Sequence, residues 1–415
     1  MPTITTTCAC RVTIATTFFG SCKSVMSVYQ FFIVAICVCL QIVVPTARAE
    51  EADLAIPTAP SVDASAYILQ DFHTGKILAE NNADTKLAPA SLTKIMTVYV
   101  VFKEIHSGHL RLDDVATISQ KAWQTSGSRM FVELNEQVKI EDLLKGVIIQ
   151  SGNDASVALA EHVAGNESTF AEMMNQHAAK LGMVNTHFAN SDGLPNENHY
   201  TTARDLATLT SALIREFPEY YRWFSQKEFT YNKITQQNRN KLLSRDESVD
   251  GVKTGFTDDA GYCLVASALR ENMRLISVVL GAKNANARAN ENQSLLNYGF
   301  RFYESHRLKE GKKMLSEARV WKGDRQTMPL GLAEDLFVTI PRRQYNDLKA
   351  EVKIDKKLVA PIKEGDKFGV VEVTLKGKPL LSRDLIALES VEQGNIVRRL
   401  YDGVFMMLEK SDAGK

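Results

Sequence analysis

Residues 89–105 read Pro-Ala-Ser-Leu-Thr-Lys-Ile-Met-Thr-Val-Tyr-Val-Val-Phe-Lys-Glu-Ile. Apolar residues recur at helical spacing over 92–105, and Pro89 stands just ahead of them, as at a helix entry. The pattern predicts a buried helix with Ser91 in its first turn. Ser91-Leu92-Thr93-Lys94 has S-x-x-K spacing, and residues three apart on a helix share a face. The Lys94 amine is therefore expected beside the Ser91 hydroxyl. Serine is a weak nucleophile until a base takes its proton. Lysine can be that base only where burial or a neighbouring cation lowers its pKa. Alone, the spacing is common and carries little weight.

Two further motifs give it weight. Ser151-Gly152-Asn153 lies between helical patterns at 140–149 and 155–163, the second closed by Gly165. A hydroxyl and a carboxamide two residues apart can point into one cleft. There Ser151 can pass a proton between the lysine and a leaving amine, and Asn153 can hold a substrate amide. Read by itself, Ser-Gly-Asn is an ordinary turn. Lys253-Thr254-Gly255 falls in an apolar stretch at 252–255 that reads as a strand. Lys253 offers a fixed positive charge, Thr254 a hydroxyl for a substrate carboxylate, and Gly255 room for a substrate backbone along the strand. The three motifs occur together and in this order. S-x-x-K, S-D-N and K-T-G form the motif set of class A β-lactamases and penicillin-binding proteins.

Rival chemistries lack their signatures. There is no G-x-S-x-G elbow, no H-E-x-x-H and no G-x-x-x-x-G-K-[ST] loop. The eight histidines show no ligand spacing, so neither a metal nor a cofactor is expected. Lys+Arg and Asp+Glu both number 49, which excludes the basic field of a nucleic-acid binder.

Outward from the motifs, strands are expected at 65–69 and 76–79 around a turn at 71–75, and at 262–269 and 275–280. A helix is expected at 202–214, with Thr202 as its cap, and a last one at 295–303. Strands at both ends with helices between imply an α+β catalytic domain over 60–303, an antiparallel sheet backed by helices. Over 304–394, short apolar or alternating runs are separated by turn residues such as Gly323-Asp324 and Lys376-Gly377-Lys378-Pro379. These predict a small all-β domain of sandwich or barrel type. In 395–410 Ile396, Leu400, Val404, Met407 and Leu408 can share one face of a helix with Phe405, opposite charged residues. Such a tail reads either as a helix packed on its own domain or as an in-plane membrane anchor. It is too short to span a bilayer.

Residues 1–49 carry Arg11, Lys23 and Arg48 and no acid, then an apolar run and Ala47-Arg48-Ala49. This reads as a secretory signal peptide, with a retained span as the alternative. Its removal would leave Cys263 as the only one of six cysteines. No intramolecular disulfide could then form, and the exported protein would depend on its core. Cys263 stands in an apolar strand and reads as a packed thiol.

The chain resembles the low-molecular-mass penicillin-binding proteins that act as D-alanyl-D-alanine carboxypeptidases. The likeness spans the mature chain. It rests on Pro89 to Lys94, Ile148-Ile149-Gln150-Ser151-Gly152-Asn153-Asp154-Ala155, Ile234-Thr235-Gln236-Gln237-Asn238-Arg239-Asn240, Asp250 to Gly255 and Ala260-Gly261-Tyr262. The resemblance implies a Ser91 acyl-enzyme with Lys94 as base, and Ser151 and Asn153 completing the proton path and binding the acyl part. It implies that Lys253 supports the charge of the cleft, that Thr254 takes the terminal carboxylate, and that Arg239 and Arg288 line the cleft. The oxyanion hole would be the N–H groups of Ser91 and Phe256. Phe256 departs from the His often found after K-T-G; a backbone donor survives that change, while deacylation and substrate preference are open to it. Expected partners are a peptidoglycan stem peptide, β-lactam antibiotics and, through the tail, the membrane surface. Expected localisation is the periplasmic face of the cell inner membrane. A D,D-endopeptidase, a β-lactamase or a non-catalytic wall-binding protein are the competing readings. Class A β-lactamases have Ser-Asp-Asn where this chain has Ser-Gly-Asn, and no E-x-x-L-N stretch is evident here.

Overall fold

Strand residues here are apolar at successive positions, and the reason is burial on two faces. The computed structural model describes residues 56–412; the expected signal peptide lies outside the described residues. β1 (Ala66–Asp71) and β2 (Ile77–Asn81) form a hairpin, followed by a 3₁₀ turn (Ala90–Leu92) and helix α1 (Thr93–His106). Next come β3 (Val115–Thr117), the short α2 (Gln120–Gln124), β4 (Gln137–Lys139) and α3 (Ile140–Lys145), which runs into a π turn (Gly146–Gln150). Helices α4 (Asn153–Ala164), α5 (Glu167–Lys180), α6 (Ala203–Glu216) and α7 (Pro218–Tyr221) follow, then hairpin β5 (Glu228–Tyr231) and β6 (Ile234–Gln237) and the short α8 (Leu242–Arg245). β7 (Val249–Thr257), β8 (Gly261–Arg270), β9 (Met273–Ala282) and α9 (Ala285–Phe302) close the domain.

The main sheet is antiparallel in the order β2-β1-β9-β8-β7. Alternate residues of each strand serve opposite faces. Ile68, Val265, Ile276, Val278 and Leu280 join the core of α1, α4 and α6. Leu69, Leu264, Leu275 and Val279 meet Leu295 and Leu296 of α9. The sheet is therefore a middle layer covered on both faces, where a one-sided sheet would show clean alternation. Leu295 and Leu296 are fully buried, each stabilising the fold by roughly 2 kcal/mol. Helix α1 is apolar nearly all round, and Ile95, Met96, Val100, Val101 and Phe102 are fully buried, as expected of a central helix.

Helix α9 starts ten residues ahead of the expected 295. Its first turns are polar, and the Asn284 side chain caps them by accepting from the Asn286 and Ala287 N–H groups. The expected helix at 140–149 gives way after Lys145 to the π turn.

The all-β domain holds β10 (Tyr303–Lys309), β11 (Met314–Trp321), β12 (Thr327–Gly331), β13 (Leu336–Pro341), β14 (Leu348–Ile354), β15 (Leu358–Val359), β16 (Lys367–Leu375) and β17 (Lys378–Ala387). A six-stranded sheet of order β14-β16-β17-β12-β11-β15 packs against the β10-β13 ribbon, with Leu330, Leu336, Val338, Val371, Val373 and Leu385 between them. Thr74 Oγ1 to Thr339 Oγ1 at 2.6 Å and Lys76 Nζ to the Thr339 carbonyl at 3.0 Å tie this domain to the β1–β2 turn.

The tail is helix α10 (Ile396–Asp412). Its Asp402 is buried and accepts from Lys322 N at 2.6 Å, fastening one side to the domain. Ile396, Val397, Leu400 and Val404 are 58–76% exposed, so the apolar face is turned to solvent. No helix among the described residues is long and apolar enough to cross a membrane.

Candidate active site

Ser91 does not begin the α-helix itself. It sits in the 3₁₀ turn ahead of α1, behind Ala90 with a φ of 48°, a left-handed conformation that costs a non-glycine residue about 1 kcal/mol or more. Behind that turn Gly193 has a φ of +86°, and a Cβ there would lie 1.9 Å from the Ala90 carbonyl oxygen. Only glycine fits such an approach. On the other side runs β7. A Cβ on Gly255 would lie 3.1 Å from the Pro89 carbonyl oxygen and 3.2 Å from Ala90 Cβ. Gly255 thus lets the strand close on the Ser91 turn, whereas the sequence reading reserved its space for substrate.

Lys94 is 1% exposed and its amine has three partners. Nζ lies 3.1 Å from Ser91 Oγ, 2.7 Å from Asn153 Oδ1 and 2.6 Å from the Asp192 carbonyl oxygen. Burial pulls its pKa down to about 8, against the opposing pull of the Asp192 and Asp154 carboxylates. Asn153 is engaged at both ends: Oδ1 by Lys94 and Nδ2 by the Ser126 carbonyl at 2.6 Å. A second N–H of that amide remains for a substrate. Asn153 thus ties the lysine to the loop at Ser126.

Ser151 adopts a left-handed φ of 63° at the end of the π turn. This directs its hydroxyl across the cleft, 2.8 Å from Lys253 Nζ. Lys253 also donates to the Thr254 carbonyl at 3.0 Å. Its pKa falls well below the ordinary value because of burial, with Lys94, Arg239 and Arg288 adding to the effect. Burial and these three cations thus work against the positive charge expected of Lys253. Thr254 is buried beside it. Arg288 donates to the Gly255 carbonyl at 2.9 Å and lies 5.5 Å from the Tyr262 ring, so it braces β7 from behind. Arg239 is exposed and close enough to Lys94, Lys253 and Arg288 to depress each of them. Phe256 is 47% exposed and its ring lies 4.3 Å from that of Tyr262.

Sequence reading gives no role to Asp154, Asp192, Gly127 or Gly193. Asp154 is fully buried and accepts from the Met130, Phe131, Val132 and Ala155 N–H groups, which pins the loop beside Asn153. Gly127, with a φ of +89°, passes where a Cβ would lie 2.6 Å from Asn153 Nδ2. The Asp192-Gly193 dipeptide carries only a turn signal, and nothing local marks it as the back wall of the serine turn. His199 behind α1 is neutral, its pKa pushed down to about 4 by burial, and its Nε2 lies 2.8 Å from Thr93 Oγ1. Cys263 is buried and free, its thiol pushed up to about 11 by burial, which makes it inert.

Comparison with known proteins places this cleft. Residues 53–284 match the family model described as D-alanyl-D-alanine carboxypeptidase, and residues 302–393 match that of the penicillin-binding protein 5 C-terminal domain. The chain is 48% identical over 370 residues to D-alanyl-D-alanine carboxypeptidase DacC of Escherichia coli K12, covering 87% of this chain and 92% of that one. Penicillin-binding protein 5 from Haemophilus influenzae superposes with a TM-score of 0.77 at 43% identity, covering 81% of this chain and all of that one. Penicillin-binding protein D2 from Listeria monocytogenes, in its ampicillin-bound form, gives a TM-score of 0.55 at 31% identity, over 59% of this chain and all of that one. With its three motifs gathered in one cleft and an all-β domain behind it, the chain belongs to the D-alanyl-D-alanine carboxypeptidase family.

Proposed function

We propose that the protein is a serine-type D-alanyl-D-alanine carboxypeptidase that removes the terminal D-alanine from peptidoglycan stem pentapeptides through an acyl-enzyme on Ser91. The observation that carries this reading is the set of partners around Lys94. The Asn153 and Asp192 oxygens can only accept. A neutral amine has two N–H groups, and these two acceptors use both. Its lone pair is left for the Ser91 proton. A pKa near 8 suits such a base.

Ser91 Oγ attacks the carbonyl between the two D-alanines, and Lys94 takes its proton. The N–H groups of Ser91 and Phe256 stabilise the oxyanion, and Asn153 holds the acyl part. The C–N bond breaks as the leaving nitrogen receives a proton along the Lys94–Ser151 side of the cleft. Water then hydrolyses the ester. Thr254 receives the terminal carboxylate, whose charge favours the ammonium form of Lys253, with Arg239 and Arg288 adding attraction. A penicillin that enters in place of the terminal dipeptide opens its ring on Ser91 and stays as a slowly hydrolysed ester.

The protein works on the periplasmic face of the inner membrane after export. The exposed apolar face of α10 supports attachment there, since Asp402 fastens the opposite side and leaves the face free for the interface. The test of the enzyme reading is D-alanine release from a pentapeptide by wild type and Ser91→Ala. Release should fall by at least about a thousandfold. Equal release, or covalent labelling of Ser91→Ala by a tagged penicillin, would sink it.

A further inference from the structure

Two carboxylates influence Lys94, and they are held differently. Both oxygens of Asp154 are occupied by backbone N–H groups, with Arg129 close by. Asp192 is 2% exposed, and its Oδ1 accepts from Leu194 N at 2.9 Å. Among the described residues no side chain donates to its carboxylate and none forms an ion pair with it. Asp192 lines an open groove of about 570 Å³, together with Lys121, Gln124, Ser126, Glu167 and Asn190. Lys121, the cation of that groove, is already paired with Glu167 at 2.7 Å. Two of its lining residues, Ser126 and Asp192, are those whose carbonyls hold Asn153 and Lys94.

We infer that Asp192 is a positioning residue for the reaction: its carbonyl fixes the Lys94 amine, and its unpaired carboxylate sets the charge which that amine carries before acylation. The inference rests on Lys94 acting as the base. A buried amine without anionic neighbours would be too weak a base to take and hold the Ser91 proton until the leaving nitrogen receives it. One held too firmly as an ammonium could not take the Ser91 proton. Of the two carboxylates, Asp154 on α4 adds the smaller pull on Lys94, with both oxygens held by backbone N–H groups, and Asn153 beside it is uncharged. Arg239, from the loop after β6, is a cation and favours the neutral amine, and Lys253, from β7, is a second buried amine whose own charge Lys94 opposes. His199 is neutral. Glu167 lies beyond Asp192, is paired with Lys121, and also accepts from Ser191. Consistent with this, Asp192 is the largest charged influence raising Lys94, and Lys94 in turn counters the burial that pushes the Asp192 carboxyl up.

The test is the pH dependence of penicillin acylation and of D-alanine release in wild type, Asp192→Asn, Asp192→Ser and Asp192→Glu. Asn keeps an acceptor for Leu194 N–H, and Ser decides the matter should the Asn variant fail to fold. Removing the charge lowers the pKa of Lys94, so the acid limb should move down by about one pH unit. Below the wild-type limb the charge-free variants should then be acylated up to about tenfold faster, while Asp192→Glu keeps the wild-type limb. An unmoved limb, a uniform loss at every pH, or a Glu variant that shifts as far as Asn would overturn the inference. A Lys94→Ala protein that retains the acid limb would instead overturn the base assignment on which it rests.

Discussion

The cleft contains two serine–lysine pairs, and they are not equivalent. Lys94 lies 3.1 Å from Ser91 Oγ and Lys253 lies 2.8 Å from Ser151 Oγ, and both amines are almost fully buried. Burial drives both pKa values down, because a charged amine loses its hydration. Two carboxylates near Lys94 stop the fall at about 8. The charged neighbours of Lys253 are Lys94, Arg239 and Arg288, and all three add to the fall. The lesson is that surroundings set the task of a lysine. One with anions beside it can exchange a proton near neutrality. One among cations lacks a counter-charge, and a substrate carboxylate can supply it.

Substitutions can break or sharpen this contrast. The largest effect is expected from Lys94→Ala, which should slow penicillin acylation by about a thousandfold or more. Lys253→Ala should lose about a hundredfold on a substrate ending in a free carboxylate, and distinctly less on one whose terminus is an amide. Equal losses on both substrates would erase the distinction between the two lysines. Gly193→Ala comes next. Its Cβ would meet the Ala90 carbonyl at 1.9 Å with a φ of +86°. It should lower stability by about 3 kcal/mol and acylation by at least about tenfold, as read from thermal melting and labelling of Ser91. Wild-type acylation in that variant would show that the turn need not be held from behind. The smallest effect on chemistry is expected from deleting everything after Gly394. Membrane association should be lost while the rate of D-alanine release stays within about twofold, as read by sedimentation with vesicles and by assay. Unchanged sedimentation would refute the anchor.

Legibility differed along the chain for physical reasons. The α1 region announces itself, because a helix buried all round must be apolar at nearly every position. The Thr202 cap was equally readable, and its hydroxyl accepts from Asp205 N at 3.1 Å. Helix α5 and the first half of α9 were not, since polar and alanine residues dominate them and only their caps mark the start: Asn166 and Asn284. The β5–β6 hairpin carries little apolar signal, because its residues are mostly half-exposed or exposed. Two-faced burial of the main sheet also had to be seen, because a continuous apolar strand can lie in a one-layer or a two-layer packing.

What the sequence by itself determined is the chemistry on offer: a serine with a lysine three residues on, a Ser-Gly-Asn turn, a Lys-Thr-Gly strand, and an amphipathic tail. Spacing along one helix suffices to place Lys94 beside Ser91, because helical geometry is local. Only the tertiary structure decided how those groups are charged and held. Asp192 and Gly193 stand about a hundred residues from Ser91 in sequence, and Lys253 stands 102 from Ser151. Proton affinity depends on burial and on neighbours a few ångströms away, and those neighbours are set by folding.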